Sequence, residues 1–253
     1  MAILVVTGLV RRFGALRAVD GLGLSVETGQ IHALIGPNGA GKTTAFNCIS
    51  GFLRPTAGRV ELDGLDVTGW PPHRLVAAGL ARTFQVTRVF DDLCVAENVA
   101  LGVRSRLGLN RRLWPGGRAV STVAKSTEEI LDAVGLGGRA ANAASQLSHG
   151  ERRALEIALA LAVAPKLLLL DEPTAGMSAG DAGQISRLIR KVAHHAAVLL
   201  VEHDMDLVLE ISDRITVMAQ GRPIAAGTPD VVSRDAAVQE AYLGQWLPGE
   251  PSC

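Results

Sequence analysis

Residues 36–43 read Gly-Pro-Asn-Gly-Ala-Gly-Lys-Thr and lie between the apolar run Ile31–Ile35 and a stretch compatible with a helix. No other feature restricts the fold of this chain as strongly. The glycines let the backbone curl until successive N–H groups point inward at one anion. The helix that follows adds its positive N-terminal end to the same cradle. Lys42 is placed to neutralise the β and γ phosphates of a nucleoside triphosphate, and Thr43 to bring a hydroxyl to Mg²⁺. The alternative is a chance glycine-rich turn; every fixed position of the phosphate-loop pattern and both flanks stand against it. Taken alone, the loop specifies a bound triphosphate and says nothing of what becomes of it.

The rest of the chain alternates strands and helices around that loop. Short strands are expected through the first 65 residues: 22–26, with Leu22, Leu24 and Val26 on one side; 31–35; and 58–62, closed by the Asp63-Gly64 turn. Pro71-Pro72 open a short helix ending at Gly79, and a strand over 80–84 runs into Gln85. Residues 91–145 read as helical segments with Gly-, Arg- and Ala-rich loops. A helix over 151–163 leads to the strand 166–170, and a helix near 180–194 leads to a second strand, 198–201. Both late strands lack polar alternation, as strands covered on both faces do. The order predicts an α/β fold in three layers, with helices on both sides of a mostly parallel sheet. A hairpin at Gln220-Gly221 and a helix start at Thr228-Pro229-Asp230 complete the pattern.

The ends of the strands carry the remaining chemistry, because ligands of open α/β sheets gather at the carboxyl ends of strands. Asp171-Glu172 follow the four-leucine run 167–170. Asp171 is placed to hold Mg²⁺ through water and Glu172 to take a proton from an attacking water; otherwise they are the first solvated residues of a loop. His203 and Gln85 also end strands, His203 as a candidate γ-phosphate contact. Ser148-His149-Gly150-Glu151 reads locally as a capping box. The same helix end is a second anion site, which a chain with one nucleotide does not need unless it serves another molecule's nucleotide.

Composition narrows the function classes. Hydrophobic residues make up 48% and charged residues 20% of the 253, and the formal net charge is zero, so no global attraction draws the chain to nucleic acid or anionic lipid. Residues 103–127 hold six basic and no acidic side chains, a solvated loop or a contact for a partner or lipid headgroups. Cys48, Cys94 and Cys253 are unrelated in spacing and suit a reducing compartment. No run approaches the roughly 18 apolar residues of a membrane span, and a cytoplasmic location is expected.

In this order and spacing these features resemble the ATP-binding-cassette (ABC) ATPases over essentially the whole chain. Walker A is 36–43, Gln85 the Q-loop glutamine, 147–151 the signature, Leu167–Asp171 Walker B, Glu172 the catalytic glutamate, Ala175–Ser178 the D-loop and His203 the switch histidine. The resemblance implies a P-loop NTPase core with an N-terminal antiparallel β subdomain and an inserted helical signature subdomain. The single cassette of residues 1–253 then divides into 1–85, the ATP-binding core with its β subdomain; 86–160, the helical subdomain; and 161–253, the core continuation and C-terminal helix. ATP and Mg²⁺ are the implied ligands. Catalysis falls to Glu172, His203, Gln85 and Lys42, and the metal to Thr43, Gln85 and Asp171. The nucleotide falls to Phe13, stacked on adenine, and to Gly36, Pro37, Asn38, Gly39, Ala40, Gly41, Lys42, Thr43, Thr44 and Gln85. Ser148 and Gly150 act in trans on the nucleotide of a second cassette in a head-to-tail dimer, and closure on ATP drives integral membrane permease subunits at the cytoplasmic face of the inner membrane. A solute-binding protein is an indirect partner, and nucleic acid is none.

Three positions depart from the commonest family pattern: His149 stands where the signature usually has Gly, Glu151 where Gln is frequent, and Ser178 where the D-loop usually has Asp. Arg82-Thr83-Phe84-Gln85, Phe46-Asn47-Cys48, the Arg/Gly-rich stretch near 103–120, Val201-Glu202-His203-Asp204-Met205 and Ala241-Tyr242-Leu243-Gly244 resemble the ATPases of branched-chain amino-acid importers. Relatives serving amides or urea, and the lipopolysaccharide-export ATPase, share several of these stretches. A soluble cassette acting on DNA or ribosomes is the reading of another class. Such proteins usually carry two cassettes or long coiled coils, which this chain lacks. A nucleotide-binding scaffold without turnover, suggested by His149 and Ser178, is opposed by the presence of Lys42, Thr43, Asp171, Glu172 and His203.

Overall fold

The computed structural model describes residues 1–83, 89–109 and 116–242. Two sheets share the core. The first is antiparallel, in the order β2-β1-β4-β5: β1 is Ala2–Phe13, β2 Leu16–Glu27, β4 Ala57–Leu62 and β5 Leu65–Asp66. The second has the order β10-β9-β3-β8-β7-β6: β3 is Ile31–Ile35, β6 Leu80–Arg82, β7 Leu167–Asp171, β8 Ala197–Val201, β9 Arg214–Ala219 and β10 Arg222–Gly227. Strands β9, β3, β8, β7 and β6 run parallel, and β10 returns antiparallel at the edge. This is the expected α/β class, with mixed antiparallel and parallel sheets.

The helices are α1 (Lys42–Ile49), α2 (Pro72–Ala78), α3 (Val95–Arg106), α4 (Gly117–Ala133), α5 (His149–Ala162), α6 (Ala179–Ala193), α7 (Met205–Ile211), α8 (Pro229–Ser233) and α9 (Ala236–Ala241). The four-leucine strand shows why the sheet is sandwiched. Leu168 and Leu170 face a cluster built from α3, α4, α5 and α6, whereas Leu167 and Leu169 face a second cluster that includes Phe46 of α1 and the antiparallel sheet. Strand β8 repeats the division, with Val198 and Leu200 on one side and Ala197, Leu199 and Val201 on the other. Because side chains alternate across a strand, an unbroken apolar run fits only where both faces are covered. A third cluster packs Ala33 and Ile35 against β9, α7, α8 and α9.

The sequence-expected elements reappear with small boundary shifts, with one correction. The N-terminal region holds two 12-residue strands where short ones were expected. In the structure Gly8, at φ 56°, sits where the β1–β2 register shifts between Val6 and Leu9, so it bends a continuous strand as a bulge. Helix α2 ends as predicted, with Gly79 at φ 103° as its left-handed cap. Strand β6 ends at Arg82, two residues short of the expected end; Thr83 still donates its N–H to Leu169 O at 3.0 Å, and Phe84 lies outside the described residues. The Gln220-Gly221 turn joins β9 to β10, both residues at positive φ. No helix among the described residues is long and apolar enough to cross a membrane.

Candidate functional site

Four parallel strands, β3, β8, β7 and β6, end on one edge of the sheet, and each delivers part of the site there. From the central strand β3 the chain enters the loop 36–41 and then α1. Gly36 and Gly41 are fixed by contact and conformation together. At φ 151° and 99° they lie where a side chain is strained, and a Cβ on Gly36 would stand 2.1 Å from the Met218 carbonyl oxygen. A Cβ on Gly41 would stand 2.2 Å from that of Ala18. The loop is thus pressed between β9 and β2, which no side chain at either position permits.

Lys42 opens α1 with its side chain turned back over the loop. Its Nζ donates to the Gly36 and Pro37 carbonyl oxygens at 2.5 and 3.1 Å. Burial lowers the pKa of this ammonium, and the negative charge of Glu172 acts the other way, which places Lys42 and Glu172 within each other's field. Thr43 is exposed and Thr44 half-buried on the first turn of α1.

Asp171 is the last residue of β7 and is buried, paired in register with Val201 of β8. Its Oδ2 accepts from Arg82 Nη2 at 2.9 Å. Arg82, at the end of β6, also donates to Asn47 Oδ1 at 2.6 Å and Ser50 Oγ at 2.7 Å, tying α1 to β7. The neighbouring Asp171 carboxylate raises the Arg82 pKa, but burial, the larger effect, lowers it. Glu172 follows at φ 46°, a left-handed conformation unusual for a side-chain-bearing residue, with its N–H donated to Val201 O at 2.8 Å.

His203 lies just beyond β8, with Nδ1 4.0 Å from Glu172 Oε1 and 3.6 Å from Glu202 Oε2. Glu202 is fully buried. Its Oε1 accepts from Thr174 N and Oγ1 at 3.1 and 2.6 Å, and its Oε2 accepts from His203 N at 3.0 Å. One carboxylate therefore ties the loop after β7 to the loop after β8. On the far side of the same loop, Arg153 of α5 donates to the carbonyl oxygens of Asp171, Glu172 and Pro173 at 2.9, 2.8 and 3.0 Å.

The expected residues thus divide. Lys42, Thr43, Asp171, Glu172 and His203 come to one edge of the sheet. Gln85 is outside the described residues. Ser148 caps α5 as the sequence predicts: its Oγ accepts from Glu151 N at 3.3 Å, and Glu151 Oε2 accepts from Ser148 N at 2.9 Å. Bonding to the Ser148 amide, aided by Arg139, holds the Glu151 carboxyl below its usual range. Ser148 and His149 are exposed. Phe13 is exposed near the tip of the β1–β2 hairpin with the Arg11 guanidinium 4.6 Å from its ring centre, and β2 meets the phosphate loop through Ala18.

The sequence reasoning gave no role to Arg82, Arg153 or Glu202. Arg153 and Glu156 carry a detectable signal: two charges three residues apart on the otherwise apolar face of α5, both buried and bonded to each other at 2.5 Å. Glu202 has none, since an acid after a buried strand normally meets solvent.

A family model described as "ABC transporter" matches residues 19–175. The chain belongs to the ABC transporter ATP-binding family. As a member it hydrolyses ATP to drive transport. A second model, described as "Branched-chain amino acid ATP-binding cassette transporter", matches residues 222–245. Among curated relatives, the high-affinity branched-chain amino acid transport ATP-binding protein BraF of Pseudomonas aeruginosa is 42% identical, over 96% of this chain and 98% of its own length. LivG of Escherichia coli, named for the same transport, is 39% identical with the same coverage. The lipopolysaccharide export system ATP-binding protein LptB of Haemophilus influenzae is 32% identical over 97% of this chain and 98% of its own. Among solved structures, an ATP-binding cassette of an ABC transporter in its ADP conformation superposes with a TM-score of 0.83 at 32% identity, covering 97% of this chain and all of that one. A nucleotide-free cassette gives 0.82 at the same identity and coverage.

Proposed function

We propose that this ABC ATPase powers import of branched-chain amino acids or closely related small polar solutes, from the cytoplasmic face of the membrane, as one of two cassettes bound to integral membrane permeases. The observation that carries the reading is the joint arrival of the phosphate loop, Asp171-Glu172 and His203 at one sheet edge, in a chain whose near-full-length relatives are named for branched-chain amino acid transport. The single cassette runs over 1–253, with the helical subdomain taken as 86–160 between the core segments 1–85 and 161–253.

In this reading the loop amides of Gly36–Gly41 and the α1 N-terminus receive the ATP phosphates. Lys42 exchanges the neutral carbonyls of Gly36 and Pro37 for anionic phosphate oxygens, the stronger partners for a desolvated cation. Thr43 and Asp171 present hard oxygen donors that suit Mg²⁺, which takes few protein ligands and fills the rest of its shell with phosphate and water. When bound, the ion offsets charge on the β and γ phosphates. Glu172 accepts a proton from the attacking water, and His203, 4.0 Å from it, faces the γ-phosphate. Gln85 is assigned to the metal and the water, and Phe13 and Thr44 to the nucleotide. Ser148 and Gly150 act on the nucleotide of the partner cassette.

The test is solute uptake in cells lacking this chain, restored by the parent or by Glu172→Gln. Loss of leucine, isoleucine and valine uptake, restored only by the parent, supports the reading. Normal uptake of all three with a defect in amide uptake or in lipopolysaccharide export refutes the substrate assignment. Restoration by Glu172→Gln refutes the role of Glu172.

A further inference from the structure

We propose that Arg153 is a positioning residue for hydrolysis: it ties the helix carrying Ser148 and Gly150 to the backbone of Glu172, so that docking of this helix on the partner cassette's nucleotide sets the geometry of Glu172 in its own subunit. The inference rests on the dimer reading above and adds to it a physical link between the two nucleotide sites.

The link begins with an unusual backbone. In an extended strand successive carbonyls point to opposite sides. At Glu172 the chain turns through φ 46°, and the carbonyl oxygens of Asp171, Glu172 and Pro173 all come within 3.0 Å of one guanidinium. A left-handed residue with a side chain is strained and persists only where its surroundings hold it. Two sets of contacts hold this one. From the β8 side, Val201 O receives the Glu172 N–H, and Glu202 receives the N–H of Thr174. From the helical side, the cation of Arg153 gathers the carbonyls. The catalytic turn is thus clamped between a buried anion on the Thr174 amide and a buried cation on its carbonyls.

Arginine suits this position because its planar fork offers five donors in fixed directions, whereas a lysine ammonium offers three around one point. Glu156, on the next turn of α5, takes the remaining edge of the fork through Nη1 at 2.5 Å and fixes its orientation. Arg153 is also rigidly joined to the helix end, five residues beyond Ser148 within one 14-residue helix. Ser148 and His149 at that end are exposed, while Arg153 is buried against the catalytic turn. A shift of the α5 N-terminus therefore carries the guanidinium with it. A displacement near 1 Å at a reacting group can cost about 100-fold in rate.

The experiment uses the chain purified with its membrane partners. Two variants are compared: Arg153→Lys, which keeps the buried charge, and Arg153→Met/Glu156→Met, which removes the pair so that no lone charge is left buried. The expected result is a fall in kcat of about 10-fold or more for the double variant, a smaller fall for Arg153→Lys, and KM for ATP within about 2-fold of the parent. The ATP dependence loses its cooperativity, the Hill coefficient falling toward 1. In a Glu172→Gln background, both variants still form the ATP-trapped dimer. Unchanged kcat, a parent without cooperativity, or a kcat loss matched by loss of the trapped dimer each overturns the proposal. Failure of Glu172→Gln alone to trap a dimer overturns the dimer reading itself, and the link with it.

Discussion

Acid is expected to weaken this fold through one histidine far from the nucleotide chemistry. His32 is the second residue of β3 and is 3% exposed. Its Nδ1 is 2.9 Å from Ser25 O in β2, and its Nε2 is 2.8 Å from Thr216 Oγ1 in β9. A carbonyl only accepts, so Nδ1 carries the proton and Nε2 accepts from the threonine hydroxyl. The ring thus joins the antiparallel sheet to the strand that leads into the phosphate loop. Burial, with a smaller push from Arg214, lowers its pKa from 6.5 to about 4, against the bond to Ser25. The folded state then binds the proton more weakly than the unfolded state. The associated stability is whole above pH 6.5 and is lost as pH falls from about 6.5 to about 4. With those two values, linkage gives a loss of about 1 kcal/mol between pH 7.5 and 5.5, rising toward roughly 3 kcal/mol at lower pH. Urea unfolding at the two pH values measures it. At an m-value near 3 kcal/mol/M, the midpoint of the parent falls by about 0.3 M more than that of His32→Gln, which has no proton to take up. Stopping at pH 5.5 keeps the measurement above the range in which Asp20, Asp66, Glu97 and Glu151, all shifted downward, add their own losses. An equal pH slope in parent and variant refutes the reasoning, as does a His32 NMR resonance that titrates near pH 6.5.

Three further outcomes follow from the site. Gly41→Ala drives a methyl to 2.2 Å from the Ala18 carbonyl, whereas Gly39→Ala meets nothing within 4 Å and adds only backbone strain. Calorimetric titration should therefore show Gly41→Ala losing ATP affinity by well over the ~5-fold that about 1 kcal/mol of strain allows Gly39→Ala; equal losses contradict the steric account. Arg82→Met leaves the buried Asp171 carboxylate without its partner, a change worth about 3–5 kcal/mol, and thermal unfolding should fall by roughly 6–20 °C. Arg82→Met/Asp171→Asn should recover much of that fall, and no recovery would mean the pair is not the cause. Glu202→Gln sets an amide N–H against the N–H of Thr174 or of His203, at about 1–3 kcal/mol. It should lower kcat for ATP while leaving ATP binding in place, and parent-like turnover removes Glu202 from the account.

What the sequence disclosed and what it withheld divide along a physical line. The phosphate loop, the four-leucine strand and the Ser148–Glu151 cap were legible because each is a local pattern whose chemistry needs fixed spacing: glycines at positive φ, unbroken apolar residues between two covered faces, a serine three positions before a glutamate. The length of β1 was not, because Gly8 signals a break as readily as a bulge, and only pairing with β2 and β4 decides between them. The contacts of Arg82, Arg153 and Glu202 were hidden for the same reason, although the Arg153–Glu156 pair marks α5 as carrying buried charge. Their partners are 89, 18 to 20 and 28 residues away in sequence for Asp171, the 171–173 carbonyls and Thr174 respectively, and no local period records such contacts.

Those hidden residues explain how a sheet edge holds its catalytic groups still. Strand register brings Asp171 opposite Val201 and places Glu172 and His203 on adjacent strand ends, but after the Glu172 N–H, which still reaches Val201 O, the turn beyond β7 leaves the ladder. Buried charges make up much of that loss: the carbonyls of residues 171–173 meet Arg153 and the Thr174 amide meets Glu202, while Arg82 holds the Asp171 carboxylate at the strand end. Arg82 stands on β6 and Glu202 directly follows β8, so both are fixed to the core sheet, whereas Arg153 stands on α5, the helix whose N-terminal end is exposed. If the clamp were purely structural, all three anchors could sit on the core sheet. Placing one on α5 makes the position of Glu172 depend on where that helix is.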